Sequence, residues 1–275
     1  MPDTTPSVGA EVAATVGRYR LALGSMRFRG RSGARRGHGV GSSMEFLDFR
    51  DYVPGDDLRH VDWRSYARTE QLRVRLHQEE VAPHTDVLVD SSASMASTPR
   101  KERAARVLCA ALLHWTQREG AAARLLALGG GRLVGDSLTF AHSSDQPGLP
   151  AVPLRPNGVR VLLTDGLWAS DPAPLLRRLM AGASRFACVQ LLDPWELAPS
   201  ADGALTLVDA ESGARSEVQL DARAVAAYRQ RLQRLVDALR AAVVGEGGTF
   251  VQVAAAGLHE MAARALLPAG VLEPA

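Results

Sequence analysis

The sequence predicts an α/β protein: a doubly wound, mostly parallel sheet with helices on both faces, preceded by a small strand-rich unit. Two observations carry this expectation. From about residue 84 onward, dense apolar runs such as "HTDVLVD" and "VRVLLTD" alternate with longer alanine- and leucine-rich amphipathic segments, as buried parallel strands and their crossover helices require. Before that point the runs are shorter, more aromatic and broken by the turn Pro54-Gly55-Asp56-Asp57. A length of 275 residues with 46% hydrophobic content suits one large or two modest domains with a real core. The expected division is 1–82 for an N-terminal helix, a glycine- and arginine-rich loop and the strand-rich unit, 83–268 for the main domain, and 269–275 for a flexible tail.

The elements follow in order. Residues 9–24, "GAEVAATVGRYRLALG", read as a short helix, and "SGARRGHGVGSS", with four glycines in twelve residues, reads as a loop. "LRVRLH" alternates apolar and polar residues as a half-buried strand does. Thr98-Pro99 forms a cap and first-turn pair for a helix carrying Ala104, Leu108, Leu112 and Trp115. Further strands are expected at 123–128, 159–164, 185–192 and 249–254, and helices at 172–181, 221–243 and 257–267. The runs "ALTLVDA" and "SEVQL", joined through Glu211, Ser212 and Gly213, read as a hairpin.

Charge and composition narrow the function classes. The formal charge is +2, and Lys101 is the only lysine. No acid occurs between Glu11 and Glu45, whereas Arg18, Arg20, Arg27, Arg29, Arg31, Arg35 and Arg36 do. A nucleic-acid surface along Arg27–Arg36 is one reading. No recognised nucleic-acid module accompanies it, which favours a solvated loop paired with carboxylates elsewhere. No apolar run is long enough to cross a bilayer, and the start "MPDTTPSVGAEVAATVG" lacks signal-peptide features, so a cytoplasmic protein without membrane insertion is expected. Cys109 and Cys188 sit in apolar patterns and suggest neither a disulfide framework nor a zinc site.

The stretch "DVLVDSSASM" carries the chemistry. Asp90 and Asp165 each end a buried-strand pattern, and in a parallel sheet both reach the crevice at the carboxyl edge. Two carboxylates there repel one another unless a proton or cation intervenes. Ser92 and Ser94 add neutral oxygens, and this donor set suits hydrated Mg²⁺, with Mn²⁺ as an alternative. Thr139, or Ser137 beside it, is a candidate for a further ligand from a neighbouring loop. An open coordination position would accept a Glu or Asp of a protein partner. A metal-dependent phosphohydrolase with Asp90 as nucleophile is the enzymatic alternative, but Ser92 occupies the nearby position where a second acid would transfer protons. No histidine constellation serves Ser92 or Ser94 as a hydrolase base.

Asp90-Ser91-Ser92-Ala93-Ser94, with Thr164-Asp165-Gly166 after a later strand, resembles the metal-ion-dependent adhesion site of von Willebrand factor A domains. The resemblance implies that fold for the main domain and three ligands from the Asp-x-Ser-x-Ser run. It also implies a threonine from an intermediate loop, for which Thr139 is the candidate, and a later aspartate acting directly or through water. The segment from Gly41 to Arg75 resembles the signature of the bacterial domain-of-unknown-function 58 family through Glu45-Phe46, Arg50, Tyr52, Pro54-Gly55-Asp56-Asp57, Arg59, Asp62-Trp63 and Ala67-Arg68-Thr69. That second resemblance implies a non-enzymatic adaptor or assembly partner of a MoxR-type AAA+ ATPase. Within the signature, Arg50, Arg59 and Arg68 are expected to bridge Asp56, Asp57 and Asp62, while Tyr52 and Trp63 pack against the main sheet. Trp168 is expected beside the metal face and Trp115 in the core.

Overall fold

The computed structural model describes residues 7–22, 44–79, 84–118, 120–134, 137–141, 147–199 and 203–275, with the side chains of 44–48, 60 and 75–79 excepted. The Arg27–Arg36 segment and the glycine-rich loop lie outside the described residues, as do the side chains of Glu45 and His60. The chain divides into two units, one formed by residues 1–25 with 83–275 and the other by residues 26–82.

The larger unit begins with α1 (Val8–Val16), capped by Ser7, whose hydroxyl accepts from the Ala10 amide. The helix stops at Gly17, and β1 (Tyr19–Leu21) follows, where residues 9–24 were expected to continue as one helix. Tyr19 and Leu21 are buried on either side of exposed Arg20, an alternation that suits a strand. Its antiparallel partner comes from the far end of the chain.

In the smaller unit, β2 (Met44–Asp51) and β3 (Arg73–Glu79) form an antiparallel hairpin with a bulge between Phe46 and Asp48. A 3₁₀ turn (Leu58–His60) and α2 (Trp63–Thr69) lie between them. Gly55, at φ 106, occupies the conformation that makes glycine necessary in the Pro54-Gly55 turn.

The sheet of the larger unit starts with β4 (His84–Val89), followed by a 3₁₀ turn (Ala93–Ala96) and α3 (Pro99–Arg118). β5 (Ala122–Ala127), β6 (Arg132–Leu133) and β7 (Val159–Thr164) come next, then α4 (Ala173–Met180), β8 (Arg185–Leu192) and α5 (Pro194–Leu197). A hairpin of β9 (Gly203–Val208) and β10 (Arg215–Leu220) precedes α6 (Ala222–Val244) and β11 (Thr249–Ala254). The chain closes with α7 (Leu258–Met261), a π turn (Ala262–Leu266) and β12 (Leu272–Pro274).

Six strands form the central sheet in the order β11-β8-β7-β4-β5-β6, parallel except for the β5–β6 pair. Successive residues serve opposite cores. Val87 and Val89 pack with α1, α3 and α7, whereas Leu88, Leu162 and Cys188 pack with Leu175, Leu176 and Leu179 of α4 and Leu239 and Val243 of α6. The two cysteines therefore lie in different cores, with both thiol pKa values pushed up to about 12 by burial.

Two expected boundaries need correction. The N-terminal helix groups with the main unit, because Glu11 accepts from the Leu258 amide at the start of α7 and pairs with Arg103 of α3. The end of the chain is a strand instead of a flexible tail: β12 pairs with β1, and Val271 and Leu272 are buried. Among the described residues, no helix is long and apolar enough to cross a membrane.

Candidate functional site

Topology brings the sequence candidates together. From β4 the chain steps to β5 on one side and returns to β7 on the other, so the strand order reverses between β4 and β7. The carboxyl ends at such a reversal form a crevice. Val89 and Leu163 are in register, and the Asp90 amide donates to the Leu163 carbonyl at 2.9 Å, so Asp90 and Asp165 leave adjacent strands.

Asp90 is buried and held from three directions. Its Oδ2 accepts from Thr164 Oγ1 at 2.7 Å and from Trp168 Nε1 at 2.8 Å, and its Oδ1 accepts from the Ser92 amide at 3.1 Å. Burial and the nearby charge of Asp165 nevertheless raise its pKa, outweighing the hydrogen bonds that favour the anion. The expected placement of Trp168 beside this face is met directly by its indole bond. Gly166, at φ 66, turns the chain away after Asp165, and a Cβ there would stand 2.5 Å from Leu239 Cδ1.

Ser92 and Ser94 converge, with their hydroxyl oxygens 3.0 Å apart. That distance is a hydrogen bond between the two hydroxyls, and it is also close to the roughly 2.9 Å between cis ligands of an octahedral Mg²⁺ with bonds of about 2.0–2.1 Å. The Ser94 amide donates to Glu211 Oε1 at 2.8 Å. Glu211 comes from the tip of the β9–β10 hairpin, and its Oε2 is buried with no hydrogen-bond partner. Leaving such an acceptor unmet costs about 1–3 kcal/mol.

Asp165 is engaged within the protein. Its Oδ1 accepts from the Leu167 amide at 3.0 Å, and its Oδ2 forms a 2.9 Å ion pair with Lys101. Lys101 also reaches Glu196 Oε1 at 2.8 Å and is fully buried. Asp165 is thus the counter-ion of Lys101, and both its oxygens are engaged. Lys101 sits in the first turn of α3, where the helix dipole disfavours a cation, so the two carboxylates hold it there. The Lys101 amide donates to the capping hydroxyl of Thr98 at 3.1 Å.

One ammonium is shared by Asp165 and Glu196, while among the described residues neither Asp90 nor Glu211 has an ion-pair partner. No group of three or more His, Cys, Asp or Glu side chains among the described residues is placed to hold a metal ion. An ion here must therefore draw on serine oxygens. Asp90, Ser92 and Ser94, with an unmet buried carboxylate oxygen beside them, fit that requirement.

Thr139 is exposed and lines a cavity of about 280 Å³ with Ser91, Leu128, Gly129, Gly130 and Ala141. Its loop touches the site through the Ala141 amide, which donates to the Ser91 carbonyl at 3.2 Å. Ser137 serves a local turn, accepting from the Val134 amide at 2.8 Å.

The signature residues form pairs of another kind. Arg50 grips Asp56 through two hydrogen bonds of 2.7 and 2.6 Å, and Arg59 likewise grips Asp57. Two of the expected bridges form, with Arg50 and Arg59 exposed, and the carboxylates also fasten their own turns by accepting from the Val53 and Arg59 amides. Arg68 donates to the Arg64 carbonyl one helical turn away, at 3.4 Å. Asp62 is buried and Tyr52 half-buried. Trp63, expected to be packed away, is 55% exposed and meets Tyr66 edge-to-face.

Lys101, Glu196 and Glu211 were not foreseen as site residues. A lysine in the first turn of a helix, alone of its type in the chain, was the available signal for the first. For Glu211 the sequence shows only a turn.

Residues 48–134 match the family model described as "Protein of unknown function DUF58". The matched span takes in the paired arginines of the smaller unit, the Asp90–Ser94 run and Lys101, and ends before Thr139 and Asp165. The chain is similar to the uncharacterized protein Rv1480 of Mycobacterium tuberculosis and the uncharacterized protein Mb1516 of Mycobacterium bovis. Each is 28% identical over 236 residues, covering 71% of this chain and 72% of the relative. Among solved structures, the conserved hypothetical protein BatB from Bacteroides thetaiotaomicron aligns with 63% of this chain and 91% of its own, at 10% identity and a TM-score of 0.33. A likeness that loose bears on neither fold nor function.

Proposed function

We propose that this chain is a non-enzymatic, Mg²⁺-dependent protein-interaction module whose docking site is the loop Asp90–Ser94 at the carboxyl edge of the sheet. The observation that carries the proposal is the convergence of the Ser92 and Ser94 hydroxyls beside a buried Asp90 that lacks an ion-pair partner among the described residues. When bound, the ion would supply a position for a Glu or Asp carboxylate of the partner. The chain's own residues do the rest. Thr164 and Trp168 fix Asp90, the Ser92 amide orients its other oxygen, and Lys101 neutralises Asp165 so that the second aspartate does not leave the crevice with excess charge. Binding is favoured over phosphoryl chemistry because Ser92 occupies the nearby position where a second acid would transfer protons.

A von Willebrand factor A-like architecture and a cytoplasmic setting belong to this proposal. The resemblance of the signature segment to the domain-of-unknown-function 58 family adds a MoxR-type AAA+ ATPase as the partner class. The test is retention of a purified MoxR-type ATPase on the immobilised full chain. Retention in Mg²⁺, release by a chelator and loss in Ser94→Ala are expected. Retention indifferent to both chelator and substitution contradicts the proposal.

A further inference from the structure

The β9–β10 hairpin carries a carboxylate to the same loop that the proposed ion occupies. Its tip is stiff: Asp209 Oδ1 accepts from the Glu211 amide at 3.0 Å, the Ser212 amide at 2.7 Å and the Ser212 hydroxyl at 2.8 Å. Gly213, at φ 69, closes the turn. The arms are lightly anchored by comparison. Most of their residues are exposed, including Leu207 and Val208, and among the buried apolar residues only Leu220 at the base belongs to the hairpin. A preorganised tip on exposed arms therefore reaches the site through one charged side chain, 117 positions along the chain from Ser94.

That side chain is incompletely satisfied where it lands. Glu211 Oε1 accepts from the Ser94 amide, while Oε2 is buried with no hydrogen-bond partner. Hydrogen bonding to its own turn does not explain this placement, because Asp209 and Ser212 already supply the turn's bonds. Nor does ion pairing explain it, because the one buried lysine is engaged by Asp165 and Glu196. A buried, unpartnered carboxylate oxygen on a side chain whose other oxygen is held by the Ser94 amide has the chemistry of a metal ligand.

We propose that Glu211 is an intrinsic ligand of the Asp90–Ser94 site, filling the position that a partner's carboxylate takes. This inference rests on the cation reading of the site. The hairpin then acts as an internal competitor: a partner binds by displacing Glu211 and freeing the tip. Discrimination follows, since only a carboxylate better placed than Glu211 can open the site.

The experiment uses the full chain, Mn²⁺ as the probe, and three proteins: the native sequence, Glu211→Gln and Ser92→Ala. Glu211→Gln keeps an amide oxygen to accept from Ser94, and an unchanged denaturation midpoint confirms its fold. Mn²⁺ affinity should fall by about tenfold or more in Glu211→Gln, the scale on which metal-site partners act. Water-proton relaxation per bound Mn²⁺ should rise as water replaces the lost carboxylate. Amide exchange at residues 209–214 should slow on Mn²⁺ addition in the native chain only. If the native chain binds Mn²⁺ in a manner lost in Ser92→Ala, yet Glu211→Gln matches it in affinity, relaxation and exchange, the intrinsic-ligand proposal is overturned and the site reading stands. If the native chain binds no Mn²⁺, both fall.

Discussion

The carboxyl edge of the central sheet and the turn of the smaller unit are both built on cation–carboxylate pairs, but burial gives those pairs different roles. At the sheet edge, Lys101 and Asp165 are both fully buried, so each is the condition for the other's presence. In the smaller unit, Arg50–Asp56 and Arg59–Asp57 are bidentate and well formed, yet the arginines remain largely in water. The first kind of pair fixes a charge pattern around a crevice. The second organises local turns and contributes little to global stability. Geometry alone does not separate them, since the exposed pairs are if anything shorter.

The comparison is broken most easily at Lys101. Lys101→Met leaves Asp165 buried without its partner, and unfolding free energy from urea titration should drop by about 3–5 kcal/mol. Lys101→Met combined with Asp165→Asn should recover part of that loss, because the stranded charge is gone. A single variant as stable as the native chain would show that the pair is not the dominant compensation. At the other extreme, Arg50→Ala should leave the global denaturation midpoint within replicate scatter while speeding amide exchange at Val53, whose amide Asp56 accepts. A large shift in the midpoint would place the exposed pairs in the same class as the buried one.

Much of the fold is legible in the sequence. The runs at 159–164, 185–192 and 249–254 became β7, β8 and β11 with those bounds: β7 and β8 are mostly apolar runs buried almost throughout, as central parallel strands are, and edge strand β11 alternates apolar Val251 and Val253 inward. The Glu211-Ser212-Gly213 connection also formed its hairpin. What could not be read was non-local. β1 is a strand because β12, some 250 positions away by the pairing of Tyr19 with Pro274, supplies its edge, and neither segment announces the other. The same holds at the site. Asp90, Ser92 and Ser94 share one short run, so their convergence was visible, and Asp165 could be placed by strand topology. Lys101 and Glu211 reach the crevice from a helix start and a hairpin tip, and their roles depend on distances that spacing along the chain does not encode. Thr139, whose loop arrives beside Ser91 with its side chain exposed, shows the limit of placing a ligand by loop order alone.

The central claim is that Asp90, Ser92 and Ser94 hold a divalent cation, and calorimetric titration of the chelator-stripped full chain with Mg²⁺ tests it most directly. The comparison protein is the double variant Ser92→Ala and Ser94→Ala, which removes two hydroxyls and leaves every strand, Lys101 and Asp165 in place. The prediction is a single saturable site in the native chain that disappears in the double variant at unchanged denaturation midpoint. Absence of binding by the native chain across the millimolar range, or equal binding by the double variant, would contradict it.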